Sequence, residues 1–336
     1  STKFAIAAVV GEPNEVLATP GSYNTPLGVC RTINEQLSDN HRYFVVEMGA
    51  YKRGDIAELC RFVKPDIGVL TSIGPAHLER FGSMDVIRRA KYEVIEALDA
   101  GGTAIMNVDD PEVRALADAT RHVPVVRFGI QHGGSPDVSA EGVSIDKSGT
   151  SMTVSSGGRS IEVTTKLLGK YAVSHVLAGF GVARALEISL DDAARRARTI
   201  APVEHRLQLI EGAGGITVID DAFNSNPDGA AAALEVLASM PGAKKVVVTP
   251  GMIELGELQA QANRSFGSHV ARVAQVAVFV ARTNRDALVA GAREVADGAE
   301  VVTVDTLAEA TERLKTILRP GDVVLFENDL PDQYER

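Results

Sequence analysis

The sequence has no dense block of lysine and arginine, and its formal net charge is -10. Nucleic acids and anionic membrane surfaces are bound through clustered cations, so the composition argues against both as partners. No run of about 18 apolar residues is present, which argues against a membrane-spanning helix, and no secretory leader is recognisable. Cysteine is scarce too: Cys30 and Cys60 make neither a disulfide framework nor a zinc site. Both fall in partly apolar helical segments and are expected to be reduced core residues of a cytoplasmic protein. Three signatures are also missing, a Walker A loop, a dinucleotide G-x-G-x-x-G and a nucleophile-elbow serine. Covalent serine or cysteine catalysis is therefore unsupported. A small anion such as a nucleotide stays open, because helix N-termini and a bound metal hold phosphate without a basic surface.

What is present is an alternation. At 336 residues the chain exceeds the size at which one hydrophobic core stops growing, so two domains are expected. Apolar runs such as "RYFVVEMGA", "PDIGVLTSIG", "GGTAIMNVDD" and "PVVRFGI" are interleaved with helical patterns such as "GDIAELCRFVK", "SMDVIRRAKYEVIEAL" and "PEVRALADAT". Strand then helix, repeated, implies right-handed crossovers and a mostly parallel sheet buried on both faces. From about Asp137 to Leu168 the pattern changes to polar alternation with glycine turns, as in antiparallel hairpins. Pro202 breaks the chain before a second series, "GITVIDD", "KKVVVTPG", "AQVAVFVA", "AEVVTVD" and "GDVVLFEN", again with helical segments between. The expected fold is α/β, a mostly parallel central domain (1–201) with an antiparallel extension, then a smaller Rossmann-like domain (202–336).

Ligands of open parallel sheets collect beyond the carboxyl ends of the strands. Glu47 follows one strand and His77 another, each equally compatible with an ordinary structural role. Lys91 lies in a helix beside Arg88 and Arg89, and neighbouring cations disfavour an ammonium, pushing a lysine toward its neutral, nucleophilic amine; a solvated charged face is the alternative. "TPGSYNTPLGV" supplies turn glycines and the polar Asn24, with Pro26 suited to a first helical turn. In "IDDAFNSNPDG", Asp220 or Asp221 can accept hydrogen bonds from ribose hydroxyls, while Asn226 suits a helix cap. Arg206, beside His205 at the linker, can reach a phosphate or serve an interdomain salt bridge.

Taken in order and spacing, "TPGSYNTPLGV", "EMGA", "IGPAHLERFGS", "RRAKYE", "NVDDP", "EHRLQ", "IDDAFNSNPD" and "GMIELGE" resemble the Mur ligases, nearest the branch that adds a dipeptide to a UDP-muramyl peptide. The likeness runs over nearly the whole chain. It implies a P-loop-type central domain and an ATP-dependent amide ligase working through an acyl phosphate in peptidoglycan precursor synthesis. Opening on "STKFAIAAVV", the chain reads as starting just after the family's phosphate loop and amino-terminal domain, and as given it is expected to bind ATP poorly. By resemblance, Glu47 and His77 would bind Mg²⁺ and Lys91 would be carbamylated. Arg206, Asp221 and Asp220 would hold ATP, and Asn24 and Thr25 would face a sugar-peptide acceptor that receives an amino acid or dipeptide. Ala172 and His175 stand where the family has adenine-contacting asparagines. Glu327, Asn328 and Asp329 stand where it tends to read K-G-S-R, inverting a charge that would meet a carboxylate-bearing substrate. A ligase with another acceptor and a non-catalytic, ligase-derived scaffold are the alternatives. A G-K-T loop encoded upstream of Ser1 would favour the enzyme.

Overall fold

The computed structural model describes residues 2–74, 78–130, 135–223 and 225–329. The chain forms two compact units, one of residues 1–144, 150–166 and 170–201, the other of 145–149, 167–169 and 202–336.

In the first unit the strands Ile67–Leu70, Thr103–Asn107, Val125–Ile130 and Val138–Asp146 lie side by side in chain order and parallel. The crossover helices are amphipathic. Met84–Glu96, capped by the Ser83 hydroxyl, buries Ile87, Ala90 and Ile95 against Ala104, Met106 and Val113. Gly149–Ser156 and Arg159–Thr165 extend the sheet as the expected antiparallel hairpin. A separate parallel pair, Val16–Ala18 with Tyr43–Val45, stands beside helix Thr2–Val10. Helix Gly169–Ala185 packs closely because it carries glycine where a side chain would collide. A Cβ on Gly181 would stand 2.6 Å from the Ile105 side chain, and one on Gly179 3.0 Å from Val9.

The second unit is a six-stranded sheet in the order Glu300–Val304, Val276–Val280, Lys245–Thr249, Val323–Glu327, Thr217–Asp221, Gln208–Glu211. Every neighbouring pair is parallel except the last. Burial on both faces explains why the central strands carry apolar residues at consecutive positions. Val246, Val248, Val278 and Val324 pack on one face with Ala310 and Leu314 of helix Leu307–Ile317. Val247, Ala277, Phe279 and Leu325 pack on the other with helices Pro227–Ser239, Gln259–Val273 and Arg285–Ala292.

Two details depart from the sequence-based expectation. Cys30 is exposed, and only Cys60 is buried. Helix Pro26–Gln36 buries Val29 and Thr32, three residues apart, and a residue one step from Val29 is turned about 100° away from that face. The antiparallel edge strand Gln208–Glu211 was not foreseen. Among the described residues no helix is long and apolar enough to cross a membrane.

Candidate active site

Glu47 stands two residues beyond strand Tyr43–Val45, and its surroundings fix it from both sides. Its N–H donates to the Thr19 hydroxyl at 3.2 Å, and Thr19 is fully buried. One carboxylate oxygen meets the Lys3 ammonium at 3.3 Å, and the other lies 3.5 Å from the Asn24 amide nitrogen. Lys3 projects from helix Thr2–Val10, is 3% exposed, and also donates to the Gly21 carbonyl at 2.6 Å. A buried ammonium needs an anion, and Glu47, with a side chain 42% exposed, supplies it while keeping oxygen surface toward solvent. The two motifs interlock through backbone as well. Gly49 donates to the Asn24 carbonyl at 2.8 Å, and a Cβ on Gly49 would lie 2.9 Å from the Asn24 side chain. Thr25 is the cap of helix Pro26–Gln36 and accepts from the Gly28 N–H.

Lys91 points from helix Met84–Glu96 to the carboxyl end of strand Ile67–Leu70, where its ammonium donates to the Ser72 carbonyl at 3.2 Å. Its pKa is lowered, and the cause is burial, opposed by the charge of Asp110. This corrects the expectation that Arg88 and Arg89 depress it. Arg88, partly exposed, and Arg89, exposed, are paired with Asp85 at 2.5 and 2.9 Å, so their charge is spent locally. "NVDDP" ties the strand ends together. Asn107 donates to the Thr71 carbonyl at 2.9 Å. Asp109 accepts from the Ile130 N–H, and Asp110 accepts from both Ile73 and Val113.

His77 lies outside the described residues. Among those described, no hydrogen bond or ion pair joins Glu47 to Lys91, and no group of three or more His, Cys, Asp or Glu side chains is placed to hold a metal. His175, half-buried in helix Gly169–Ala185, meets the Thr2 hydroxyl at 2.9 Å. Ala172 is buried in the core.

In the second unit, Asp220 and Asp221 end strand Thr217–Asp221. Asp221 accepts from the Leu207 N–H at 3.0 Å, and Asp220 meets the His205 imidazole at 2.8 Å. Burial pushes the Asp221 carboxyl up to about 6, against the opposing pull of the Leu207 N–H and Arg206. Arg206 lies over the Phe223 ring, 4.3 Å from its centroid. Glu327, paired in register with Asp221, is 1% exposed and receives the hydroxyls of Ser225 and Thr249. Burial pushes its carboxyl up to about 8. Burial disfavours its charged form, and Glu327 itself is not exposed, whereas Asp329 two residues on is.

Sequence reasoning missed Lys3, the group that holds Glu47. Its only signal was one cation on an otherwise apolar helix face, which reads equally well as a side chain snorkelling to solvent. It also missed the burial of Glu327, which no single-residue pattern encodes.

Two family models match the chain, the Mur ligase middle domain over residues 1–183 and the Mur ligase, glutamate ligase domain over residues 205–327. The UDP-N-acetylmuramoyl-tripeptide--D-alanyl-D-alanine ligase of Mycobacterium leprae is 35% identical, covering 97% of this chain and 68% of its own length. That of Escherichia coli is 30% identical over 76% of this chain and 56% of its own length. Among solved structures, MurF from Acinetobacter baumannii superimposes with a TM-score of 0.85 at 26% identity, over 97% of this chain and 70% of that one. MurF from Thermotoga maritima, in complex with ADP, gives 0.86 at 24% identity over 98% and 73%, a likeness of fold. The chain belongs to the Mur ligase family, and its class of activity is that of a peptide ligase.

Proposed function

We propose that the protein joins D-alanyl-D-alanine to a UDP-muramyl tripeptide at the expense of ATP, with residues 1–201 as the central ATPase domain and 202–336 as the carboxy-terminal domain. The observation that carries this reading is the 35% identity to the Mycobacterium leprae ligase of that name over 97% of the chain. In the reaction an oxygen of the acceptor's terminal carboxylate attacks the γ-phosphorus and ADP leaves. The amine of the dipeptide then attacks the acyl carbon, phosphate departs with that oxygen, and the amine's proton goes to solvent. Such chemistry is governed by positioning and by neutralisation of charge.

The residues present suit a hard divalent cation. Glu47 offers oxygen that remains half exposed, and burial biases Lys91 toward the amine that captures carbon dioxide, forming an N–C bond and releasing a proton. The carbamate so formed replaces a cation with further oxygen ligands. Glu47, carbamylated Lys91 and His77 would hold Mg²⁺, which supplies charge neutralisation on the transferring phosphoryl group. Lys3 holds one Glu47 oxygen in place, and Asn24 and Thr25 serve the acceptor. Arg206 would contact ATP phosphate, with Asp220, Asp221 and His175 as further residues of the nucleotide side.

The test is turnover by the full-length protein, read as ATP-dependent formation of the pentapeptide product by mass spectrometry. Lys91→Ala should abolish it, with partial return on adding short carboxylates in place of the carbamate. Full turnover by the variant would dispose of the carbamate role. No product from the wild type with these substrates would transfer the reading to another acceptor or to a scaffold.

A further inference from the structure

The strand-end run "NVDDP" reaches beyond its own strand. Thr103–Asn107 lies between Ile67–Leu70 and Val125–Ile130, and the polar side chains at its end staple both neighbours. Leu70 pairs with Met106 in register, which sets Asn107 beside Thr71. Asn107, 7% exposed, donates its amide to the Thr71 carbonyl at 2.9 Å, and its amide oxygen accepts from the Asp109 N–H at 3.1 Å. Asp110 gives one oxygen to the Val113 N–H at 2.9 Å, as the cap of helix Pro111–Ala119, and the other to the Ile73 N–H at 3.0 Å. The Ile73 side chain is itself buried in the core. Ser72 therefore lies between two clamped residues, and its carbonyl is the one that meets the Lys91 nitrogen, at 3.2 Å. Asp109 turns the other way, to the Ile130 N–H at 2.7 Å.

We infer that Asn107 and Asp110 are positioning residues for Lys91: they aim the Ser72 carbonyl, which accepts the single N–H that a carbamate keeps. This rests on the reading of Lys91 as a carbamate. When the neutral amine attacks carbon dioxide, the N–C bond forms, one proton of the nitrogen leaves to solvent and the other stays. The carbamate is planar, so a fixed acceptor for that remaining N–H selects one rotation about the Lys91 Cε–Nζ bond and turns both oxygens away from the Ser72 carbonyl. Groups that hold the hydrogen-bond partner of a ligating side chain orient the ligand itself. With the clamps released, the carbonyl and the rotation it selects are both loosened. Asp109 has the same chemistry as Asp110 but serves the opposite neighbouring strand, which makes it the control.

The test is ¹³C NMR of the full-length protein at one pH, without added metal, over a series of ¹³C-bicarbonate concentrations, read as the carbamate signal that Lys91→Ala removes. Asn107→Leu, close in volume, should raise the concentration for half occupancy about fivefold, the worth of one hydrogen bond. Asp109→Asn should stay within about twofold of the wild type. Asp110 also lays its charge on Lys91, so its clamp is tested with the carboxylate left in place. An ester in place of the Ser72–Ile73 amide removes the Ile73 N–H and weakens the Ser72 carbonyl as an acceptor, and it too should raise the concentration about fivefold. Occupancy unmoved by the ester or by a folded Asn107→Leu, or moved equally by Asp109→Asn, would overturn the inference. If Asn107→Leu does not fold, the ester against Asp109→Asn decides alone. A wild type without any signal that Lys91→Ala removes would sink the carbamate reading, and this inference with it; a signal present but indifferent to the clamps sinks the inference alone.

Discussion

Replacing Glu327 by glutamine should stabilise the protein, and by an amount that grows with pH. The carboxyl is 1% exposed at the carboxyl end of a central strand and is pushed from 4.5 up to about 8, first by burial and also by the charge of Asp221. Between those values the native state keeps a proton that the unfolded chain has released. Native stability therefore falls as pH rises through this window and levels off above about 8. Each pH unit is worth up to about 1.4 kcal/mol. Asp221, raised to about 6, contributes its own loss at lower pH, so the span from about 6 to 8 isolates Glu327. Glutamine has no proton to hold, and its amide can still accept from the Thr249 hydroxyl and donate to Ser225. The advantage of Glu327→Gln should thus increase by about 3 kcal/mol at most between pH 6 and 8, and be small near pH 4.5. Urea unfolding at a series of pH values, following the transition that the substitution moves, measures it. An advantage that is flat with pH, or a loss of stability at pH 8, would refute the argument that this carboxyl is neutral in the native state.

Three further outcomes follow from packing and hydrogen bonding. Glu93, buried in helix Met84–Glu96, accepts from the N–H groups of Gly54 and Ala57 at 2.7 and 3.0 Å and so caps helix Asp55–Val63 from outside; Glu93→Ala should lower stability by about 2 kcal/mol in thermal unfolding. Gly181→Ala would force its methyl into Ile105 and should cost about 1–3 kcal/mol by the same measurement. Gly49→Ala displaces the Asn24 side chain at little cost to stability, within about 1 kcal/mol. Its effect should fall on the acceptor, whose KM should rise several-fold in steady-state kinetics while that for ATP is unchanged.

The βαβ alternation made both sheets legible, because crossover strands buried on two faces leave runs such as "KKVVVTPG" that no other element explains. The edge strand Gln208–Glu211 was not legible. It has four residues, two of them exposed, and its pairing depends on the backbone turn at Leu207. Asp220 and Asp221 were recognisable as strand-end carboxylates, but their partners are backbone and imidazole groups of residues 205–207, set by tertiary geometry. The depressed pKa of Lys91 was anticipated in direction and misattributed in cause. Sequence proximity put two arginines beside it, and folding turned both onto Asp85 and buried the lysine. For Glu327, a glutamate letter implies an ordinary carboxylate, and burial, which the letter does not encode, disfavours that charge.

The central claim is that the acceptor's own carboxylate is activated by phosphorylation. Turnover of the full-length protein with acceptor labelled with ¹⁸O in its terminal carboxylate tests it directly. The account predicts that each inorganic phosphate released carries one labelled oxygen and that the amide product retains the other. Unlabelled phosphate formed together with the amide would contradict it.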